Sequence, residues 1–300
     1  MIRLINFSLV ILFFVSNITQ AQIVEFEHKN IQYQYKKLNQ PQVANGLLVL
    51  FGYGGGNGLT DIPKVFENDS ILVIVIDNKS WFMPIEETKK NDACILHAME
   101  TNNIPEKRLI FGGFSGGGTT TMRYTEQVIK RGISKLTPKG IFIGDAPIDH
   151  LEFYKYCEKE LSTECDAPDA WMGKHEAKII KHEYDSLLGD PVENREKYIQ
   201  VSPATVSEPD LGNGKYLLNM PIRFYHEPDP MFYIIERCRT SINSHLNSSS
   251  VLVNYLYHNG NKKAEIILTQ DKGYRTNGNR HPHSWSIIDA KGLLDWYNEL

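Results

Sequence analysis

Ser115 stands in a segment whose spacing suits nucleophilic chemistry. The sequence GFSGG at 113–117 matches G-x-S-x-G and lies between an apolar run and a stretch that favours a helix. A nucleophilic serine at a sharp strand-to-helix turn has a strained backbone, so its neighbours must be small. The free N–H groups of the helix that follows can then face an oxyanion formed at the serine. A phosphate-binding loop would need Lys followed by Ser or Thr, and no Lys lies between Arg108 and Lys130.

The elements around this segment alternate between strands and helices. Mostly unbroken apolar runs, typical of strands buried on both faces of a parallel sheet, cover 46–53, 71–78, 108–115, 140–147, 221–227 and 264–271. Apolar residues at helical spacing predict helices over Glu86–Asn102, Thr119–Arg131, Met231–Leu246 and Ser284–Leu300. Near the start, two alternating runs predict a hairpin with its turn at Lys29 and Asn30. This order predicts an α/β fold with a doubly wound, mostly parallel sheet.

One interval interrupts the alternation. The residues from Asp149 to Tyr216 are polar and charged, contain helical stretches of their own and are rich in aromatic side chains. Such an interval is too long for a structureless loop inside a compact domain. We therefore expect one domain over 22–300, with a cap inserted at about 149–216.

The serine motif, at the end of a buried strand in this order of elements, resembles the nucleophile elbow of the α/β-hydrolase superfamily. The resemblance covers nearly all of residues 22–300, and it implies a triad in the chain order Ser, acid, His. It implies an acid after the penultimate buried strand, where we prefer Asp229 and keep Glu227 as the alternative. It implies a histidine after the last strand, where we prefer His283 to His281.

The same resemblance implies an oxyanion hole and a substrate pocket. The two backbone N–H donors would be those of Gly116 and of Tyr53, with Gly54 as the next candidate after Tyr53. Some aromatic and sulfur-containing side chains either line the pocket or belong to the core: Trp81, Phe82, Trp171, Met172 and Trp285.

The first residues are typical of a secretory signal peptide. Arg3 precedes an apolar run from Leu9 to Val15, and small or polar residues follow up to Ala21. The run is shorter than the roughly 20 residues that span a bilayer. We predict cleavage after Ala21, a secreted or periplasmic protein, and no stable membrane insertion after cleavage. With 32 basic and 36 acidic side chains and no basic stripe, the chain is not expected to bind nucleic acid.

Export also bears on the cysteines. In an oxidising compartment Cys157 and Cys165 could close a short polar loop as a disulfide, whereas Cys94 and Cys238 lie among apolar residues and are expected in the core. The chain has no C-x-x-C pair, and no H-E-x-x-H sequence is present. We therefore expect neither a metal nor another cofactor.

Together these patterns predict a secreted serine hydrolase that cleaves small-molecule carboxylic esters. His283 would take the proton of Ser115, Asp229 would orient the imidazole, and water would release the acyl group from the enzyme. Two alternatives stay open. One is a serine peptidase of the same fold, and the other is a non-catalytic binding protein that kept the fold.

Overall fold

The computed structural model describes residues 21–52, 61–132, 136–240 and 244–300 of the chain. Within them, eight strands form one sheet in the order β1-β2-β4-β3-β5-β6-β7-β8. The strands are β1 (Gln22–His28), β2 (Ile31–Lys37), β3 (Gly46–Gly52), β4 (Ile71–Asp77), β5 (Leu109–Phe114), β6 (Gly140–Gly144), β7 (Ile222–His226) and β8 (Ala264–Leu268).

The sheet is antiparallel at one edge and parallel elsewhere. Strands β1 and β2 form the predicted hairpin, and its turn residues Lys29 and Asn30 have φ of 51° and 62°, as a tight two-residue turn requires. β2 joins β4 in antiparallel pairing, and the strands from β4 through β8 are parallel neighbours. The predicted doubly wound, mostly parallel sheet is confirmed.

Helices cover both faces of the sheet. They are α1 (Ile62–Asn68), α2 (Ile85–Thr101), α3 (Gly116–Arg131), α4 (His150–Ser162), α5 (Pro168–Leu187), α6 (Arg195–Val201), α7 (Pro230–Arg237), α8 (Leu246–His258) and α9 (Ala290–Glu299), with short 3₁₀ helices at Gly212–Leu217 and Trp285–Ile287. Among the described residues, no helix combines the length and the apolar character that crossing a bilayer would take.

The core has two halves because side chains alternate along each strand. In β3, Leu47 and Val49 pack with apolar residues of α2, α3 and α8, whereas Leu48 and Leu50 pack with residues of α1 and α9. All four side chains are essentially buried. Burial of each such side chain contributes about 1.5 to 3 kcal/mol, which explains why the strand sequences are continuous apolar runs.

The interval between β6 and β7 contains α4, α5 and α6, and these helices share an aromatic cluster of their own. Tyr154, Tyr184 and Tyr198 pack there, and Trp81 and Phe82 from the loop after β4 join them. The cluster thus fixes the inserted helices to the carboxyl ends of the strands, where a cap over a site would lie.

The predicted helix over Met231–Leu246 is wrong. Helix α7 ends at Arg237, and α8 begins at Leu246. Cys238 ends α7 in a left-handed conformation with φ of 48°, and it is bonded to a cysteine far away in sequence. Likewise, the last helix begins at Ala290 instead of Ser284, because the side chain of Asp289 accepts a hydrogen bond from the backbone N–H of Lys291 and caps α9 there.

The predicted Cys157–Cys165 disulfide is also wrong. Cys165 is bonded to Cys238, with Cα atoms 5.8 Å apart and a sequence separation of 73. Cys157 is a free thiol, fully buried on α4 in the aromatic cluster of the inserted helices. Cys94 is buried and free, as expected. Residues 1–20, which hold nearly all of the predicted signal peptide, lie outside the described ranges.

Candidate active site

Ser115 lies at a sharp turn between β5 and α3. Its backbone has φ of 55° and ψ of −130°, a strained conformation for a residue with a side chain. The glycines allow the close approach of the flanking chain. A Cβ atom on Gly113 would lie 2.3 Å from the carbonyl group of Gly117, and one on Gly117 would lie 2.1 Å from the carbonyl oxygen of Phe51. The tight turn therefore depends on the small residues of the motif.

His283 reaches Ser115 from the loop between β8 and α9. The distance between Ser115 Oγ and His283 Nε2 is 3.0 Å, so the hydroxyl can donate to the ring nitrogen. The other nitrogen, Nδ1, donates to Oδ2 of Asp145 at 2.6 Å. The ring of Phe114 lies 4.6 Å from the imidazole, centroid to centroid, and packs against it. The structure thus joins a serine, a histidine and a carboxylate in one hydrogen-bonded chain.

Asp145 follows β6 directly and is almost completely buried, with 7% of its side chain exposed. Its second oxygen, Oδ1, accepts a hydrogen bond of 2.8 Å from Nδ1 of His226, the last residue of β7. Burial alone would raise the pKa of Asp145, but the hydrogen bonds from His226 and His283, with the charges of those rings, outweigh burial and hold the pKa well below its usual value. Asp145 is therefore a buried carboxylate that stays ionised.

The acid predicted from sequence is wrong, because Asp229 does not contact His283. One oxygen of Asp229 accepts the N–H of Phe232 and caps α7, and the other forms a 2.6 Å ion pair with Arg280. The alternative, Glu227, is also an ion-pair partner of Arg280, at 2.5 Å, and it accepts the backbone N–H of Gly273 at 3.0 Å. Both carboxylates thus fasten the loop that carries His283.

Sequence reasoning missed Asp145 although a signal was present. The segment GIFIGDAP places an aspartate directly after a buried strand, as the segment PIRFYHEPDP does for its acidic residues. The structure pairs β6 with β5, so Asp145 and Ser115 follow neighbouring strands. At the end of β7, His226 contacts Asp145. Neither Glu227 nor Asp229, which follow β7, contacts His283.

Gly116, one of the two predicted oxyanion donors, lies at the N-terminus of α3. Gly116 is the first residue of this helix and lines the same cavity as Ser115. The first N–H groups of a helix have no partner within it, and the helix dipole places partial positive charge there. Tyr53 and Gly54, the candidates for the second donor, lie outside the described residues.

A cavity of about 550 Å³ opens beside Ser115 and His283, between the strand ends and the cap. Of the predicted pocket residues, Trp81, Trp171 and Met172 line it. Phe82 is not among the described lining residues, because its ring packs against Tyr184 in the cap cluster with centroids 5.6 Å apart. Trp285 is not among them either, because it packs on Phe114.

The cavity wall also contains ionisable side chains that were not predicted to line the pocket. Burial lowers the pKa of His245 to about 3, and its ring lies 5.9 Å from that of His283. Burial also lowers the pKa of His281, the second histidine considered from sequence, to about 4. Its Nδ1 donates to the backbone carbonyl of His283 at 2.8 Å, so His281 supports the loop and does not contact Ser115. Arg239 lines the cavity as well.

Solved structures of other proteins resemble the fold of this chain. No family model and no curated protein sequence matches the chain. Solved structures do match: the acylaminoacyl peptidase of Pyrococcus horikoshii is similar at a TM-score of 0.57 and 15% identity, over 93% of this chain and 41% of that one. The chain therefore spans about two fifths of the length of that peptidase.

Two shorter proteins are similar over most of their length. Carboxyl esterase 2 from the mycorrhizal fungus Tuber melanosporum matches at a TM-score of 0.57 and 15% identity, covering 93% of this chain and 84% of that one. A hormone-sensitive lipase from a metagenome library matches at a TM-score of 0.55 and 14% identity, with the same two coverages. The strand order, the inserted helices and these likenesses agree with the expected fold class, and the chain has the α/β-hydrolase fold.

Proposed function

We propose that this protein is a serine hydrolase that cleaves carboxylic esters through an acyl-enzyme. The observation that carries the proposal is the hydrogen-bonded chain from Ser115 Oγ through His283 to Asp145, with distances of 3.0 and 2.6 Å, at the wall of a cavity large enough for a small ester. A nucleophile, a base within reach of it and a group that orients the base are the parts that covalent acyl transfer needs.

The mechanism follows from these positions. His283 Nε2 accepts the proton of Ser115 as Oγ attacks the ester carbonyl, and Asp145 stabilises the imidazolium that forms. The N–H of Gly116 is placed to donate to the oxyanion. The imidazolium then protonates the leaving alcohol, and a water molecule activated by His283 releases the acyl group. Asp145 remains ionised throughout, in keeping with its lowered pKa.

Labelling with a fluorophosphonate probe tests the nucleophile. We expect one equivalent of label on the folded wild-type protein and none on Ser115→Ala, because the probe reacts with an activated serine. Ser162→Ala, a change in the last residue of α4, is the matched control and should label like the wild type. Folded wild-type protein that takes up no label would favour the non-catalytic binding protein.

A serine peptidase is the second candidate, favoured by the likeness to an acylaminoacyl peptidase. The same triad cleaves esters and amides, so the substrate has to be measured. A panel of para-nitrophenyl acyl esters, set against para-nitroanilides of acylated amino acids, separates the two. We expect higher kcat/KM for the esters. Cleavage of the anilides with inert short esters would favour the peptidase.

We also propose that the protein is exported after removal of residues 1–21. The support is the order of charge, apolar run and small residues in the leader. N-terminal sequencing of the protein from its native cells should begin at Gln22. A cytosolic protein that retains Met1 would contradict export without touching the proposed chemistry.

A further inference from the structure

Arg239 has hydrogen-bond donors that the described residues do not use. It follows Cys238 at the end of α7 and lines the cavity that contains Ser115, and 9% of its side chain is exposed. Its Nε and Nη1 atoms are buried, and neither has a hydrogen-bond partner among the described residues. A buried guanidinium whose N–H groups lack hydrogen-bond partners is energetically costly even beside a carboxylate, since this group carries five donors and a full charge. Such a group in the wall of a binding cavity is suited to an acceptor supplied by a ligand.

The charges around Arg239 favour a ligand with a single negative charge. Glu160 lies 3.4 Å from Nε of Arg239, but its other oxygen is held at 3.0 Å by Arg237. Asp169, the next carboxylate in this group, is bonded to Arg237 as well. Arg239 thus contacts a single carboxylate of this group, and it shares that carboxylate with Arg237. The charge of Glu160 at the same place would repel a dianion, so a carboxylate fits better than a phosphate.

Two tyrosine rings hold the guanidinium in place. Its central carbon lies 4.5 Å from the ring centroid of Tyr156 and 4.7 Å from that of Tyr233. A guanidinium fixed against aromatic faces can present its planar fork to a carboxylate at a small cost in side-chain entropy. The arrangement therefore holds the guanidinium ready to donate a charge-assisted hydrogen bond to a carboxylate.

The anion would lie at a distance from the reacting serine. The ring of Tyr156 is 6.2 Å from that of His245, which in turn is 5.9 Å from that of His283. Apolar side chains of the cavity wall line the space around these rings, among them Trp81, Phe153, Met172 and Ile180. A ligand that reaches both Ser115 and Arg239 therefore needs a hydrocarbon or aromatic spacer.

We propose that Arg239 binds a carboxylate of the substrate, and that the preferred substrates are esters with a free carboxylate separated from the scissile carbonyl by an apolar spacer. The proposal rests on the proposed function, since the ester is cleaved at Ser115. It assigns Arg239 the recognition of the remote anion, a task separate from the chemistry of the triad.

Paired substrates test the selectivity. The mono-para-nitrophenyl esters of adipic and suberic acids carry a free carboxylate, and their methyl para-nitrophenyl counterparts are neutral. We expect the wild type to prefer the free acids by about 10-fold to 100-fold in kcat/KM, the effect of one charge-assisted hydrogen bond. In Arg239→Gln that ratio should fall to near one, and in Arg239→Lys it should be intermediate. Arg131→Gln, an exposed change at the end of α3, is the charge-matched control and should keep the wild-type ratio.

Binding without turnover separates this proposal from the proposed function. Calorimetry on Ser115→Ala compares monomethyl suberate with dimethyl suberate, before and after Arg239→Gln. A preference for the mono-acid that depends on Arg239 supports the proposal even if the wild-type protein hydrolyses nothing. Equal binding of the two compounds, together with equal hydrolysis of charged and neutral esters by the wild type, overturns the proposal and leaves the serine hydrolase intact. The wild-type ratios decide the matter if Arg239→Gln fails to fold.

Discussion

At the scale of single residues, Asp145 is held from two sides. Oδ2 accepts from His283 and Oδ1 accepts from His226, so the carboxylate cannot rotate without losing a hydrogen bond. The residues concerned follow or end neighbouring strands, with Ser115 after β5, Asp145 after β6 and His226 at the end of β7. This placement fixes the orientation of the carboxylate, which is the preorganisation that the proposed triad needs.

Replacement of the acid should separate Asp145 from Asp229. In Asp145→Asn the amide can donate to His283 and favour the wrong tautomer, so we expect kcat for an activated ester to fall by about a thousandfold to ten-thousandfold. Asp229→Asn is the matched control, since its side chain caps α7 and pairs with Arg280, and it should keep kcat within several-fold. Steady-state kinetics on both variants checks this. Full activity in Asp145→Asn with loss in Asp229→Asn would restore the assignment made from sequence.

His226 should position Asp145 without touching substrate. His226→Phe removes the donor to Oδ1, and we expect a loss of about 10-fold to 100-fold in kcat, typical of an orienting partner. Stability should fall by about 1 to 3 kcal/mol because a buried charged oxygen loses its partner. His226→Gln, which keeps an N–H donor, should recover part of both losses. Kinetics and urea unfolding measure them, and unchanged kcat in a folded His226→Phe protein would rule out the positioning role.

At the scale of elements, the positions of the strands in the sequence were predictable, but the order in which they lie side by side in the sheet was not. The parallel strands lie within a few residues of the predicted runs, because burial on both faces requires unbroken apolar sequence. The position of Ser115 at a strand-to-helix turn was predictable from its glycines, and the position of His283 from its place before the last helix. The carboxylate that contacts His283 was not predictable, because Asp145, Glu227 and Asp229 all follow buried strands. The choice among the three carboxylates depends on which strand ends are neighbours and on where each side chain points. Local sequence specifies neither the strand order nor the side-chain direction.

The end of α7 shows the same limit. Helical spacing of apolar residues continues beyond Arg237, so the sequence favours a longer helix. The helix instead ends at Arg237, and the next residue, Cys238, is left-handed and bonded to Cys165, 73 residues away. No window of neighbouring residues could reveal a bond to so distant a residue.

The cap should lose stability in acid through its buried histidine. Burial, assisted by the charge of Arg123, lowers the pKa of His150 to about 3, and its Nδ1 shares a 2.7 Å hydrogen bond with the hydroxyl of Tyr184. An unfolded histidine takes a proton near pH 6.5. Between these values the unfolded chain binds more protons, so this contribution to stability is complete above about pH 6.5 and is lost as the pH falls toward 3.

Urea unfolding at pH 7, 6 and 5 tests this contribution. In the wild type the unfolding free energy should fall as the pH is lowered below about 6.5. In His150→Leu this fall should be smaller by about 1 kcal/mol per pH unit. His182→Leu, at an exposed position on α5, is the control and should keep the wild-type slope. Identical slopes in His150→Leu and the wild type would show that His150 is protonated at the same pH in both states.

At the scale of the whole molecule, the Cys165–Cys238 bond connects the cap to the segment after β7. It joins the loop before α5 to the end of α7, and the ion pairs of Arg237 with Glu160 and Asp169 cross the same boundary. Both connections lie next to Arg239. The cap is thus fixed on the side where we propose the carboxylate to bind.

Removal of the disulfide should destabilise the protein measurably. Closing a loop of this length restricts the unfolded chain, so Cys165→Ala combined with Cys238→Ala should lower the unfolding free energy by about 2 to 4 kcal/mol. Urea unfolding of the double variant and of the wild type with reductant should agree, which serves as the control. Peptide mapping without reductant should recover the Cys165–Cys238 pair, and a map that links Cys157 instead would contradict the assigned pairing.

The same bond changes what a protease could do to this protein. The segment between the two bonded cysteines includes α5, α6 and the exposed turn around Val192, whose side chain is 88% exposed. Hydrolysis of any peptide bond there would leave the two fragments covalently linked through the cystine. Nicked molecules would then migrate as one species in a denaturing gel until a reductant separated them, and a protein cut at this turn would keep its inserted helices.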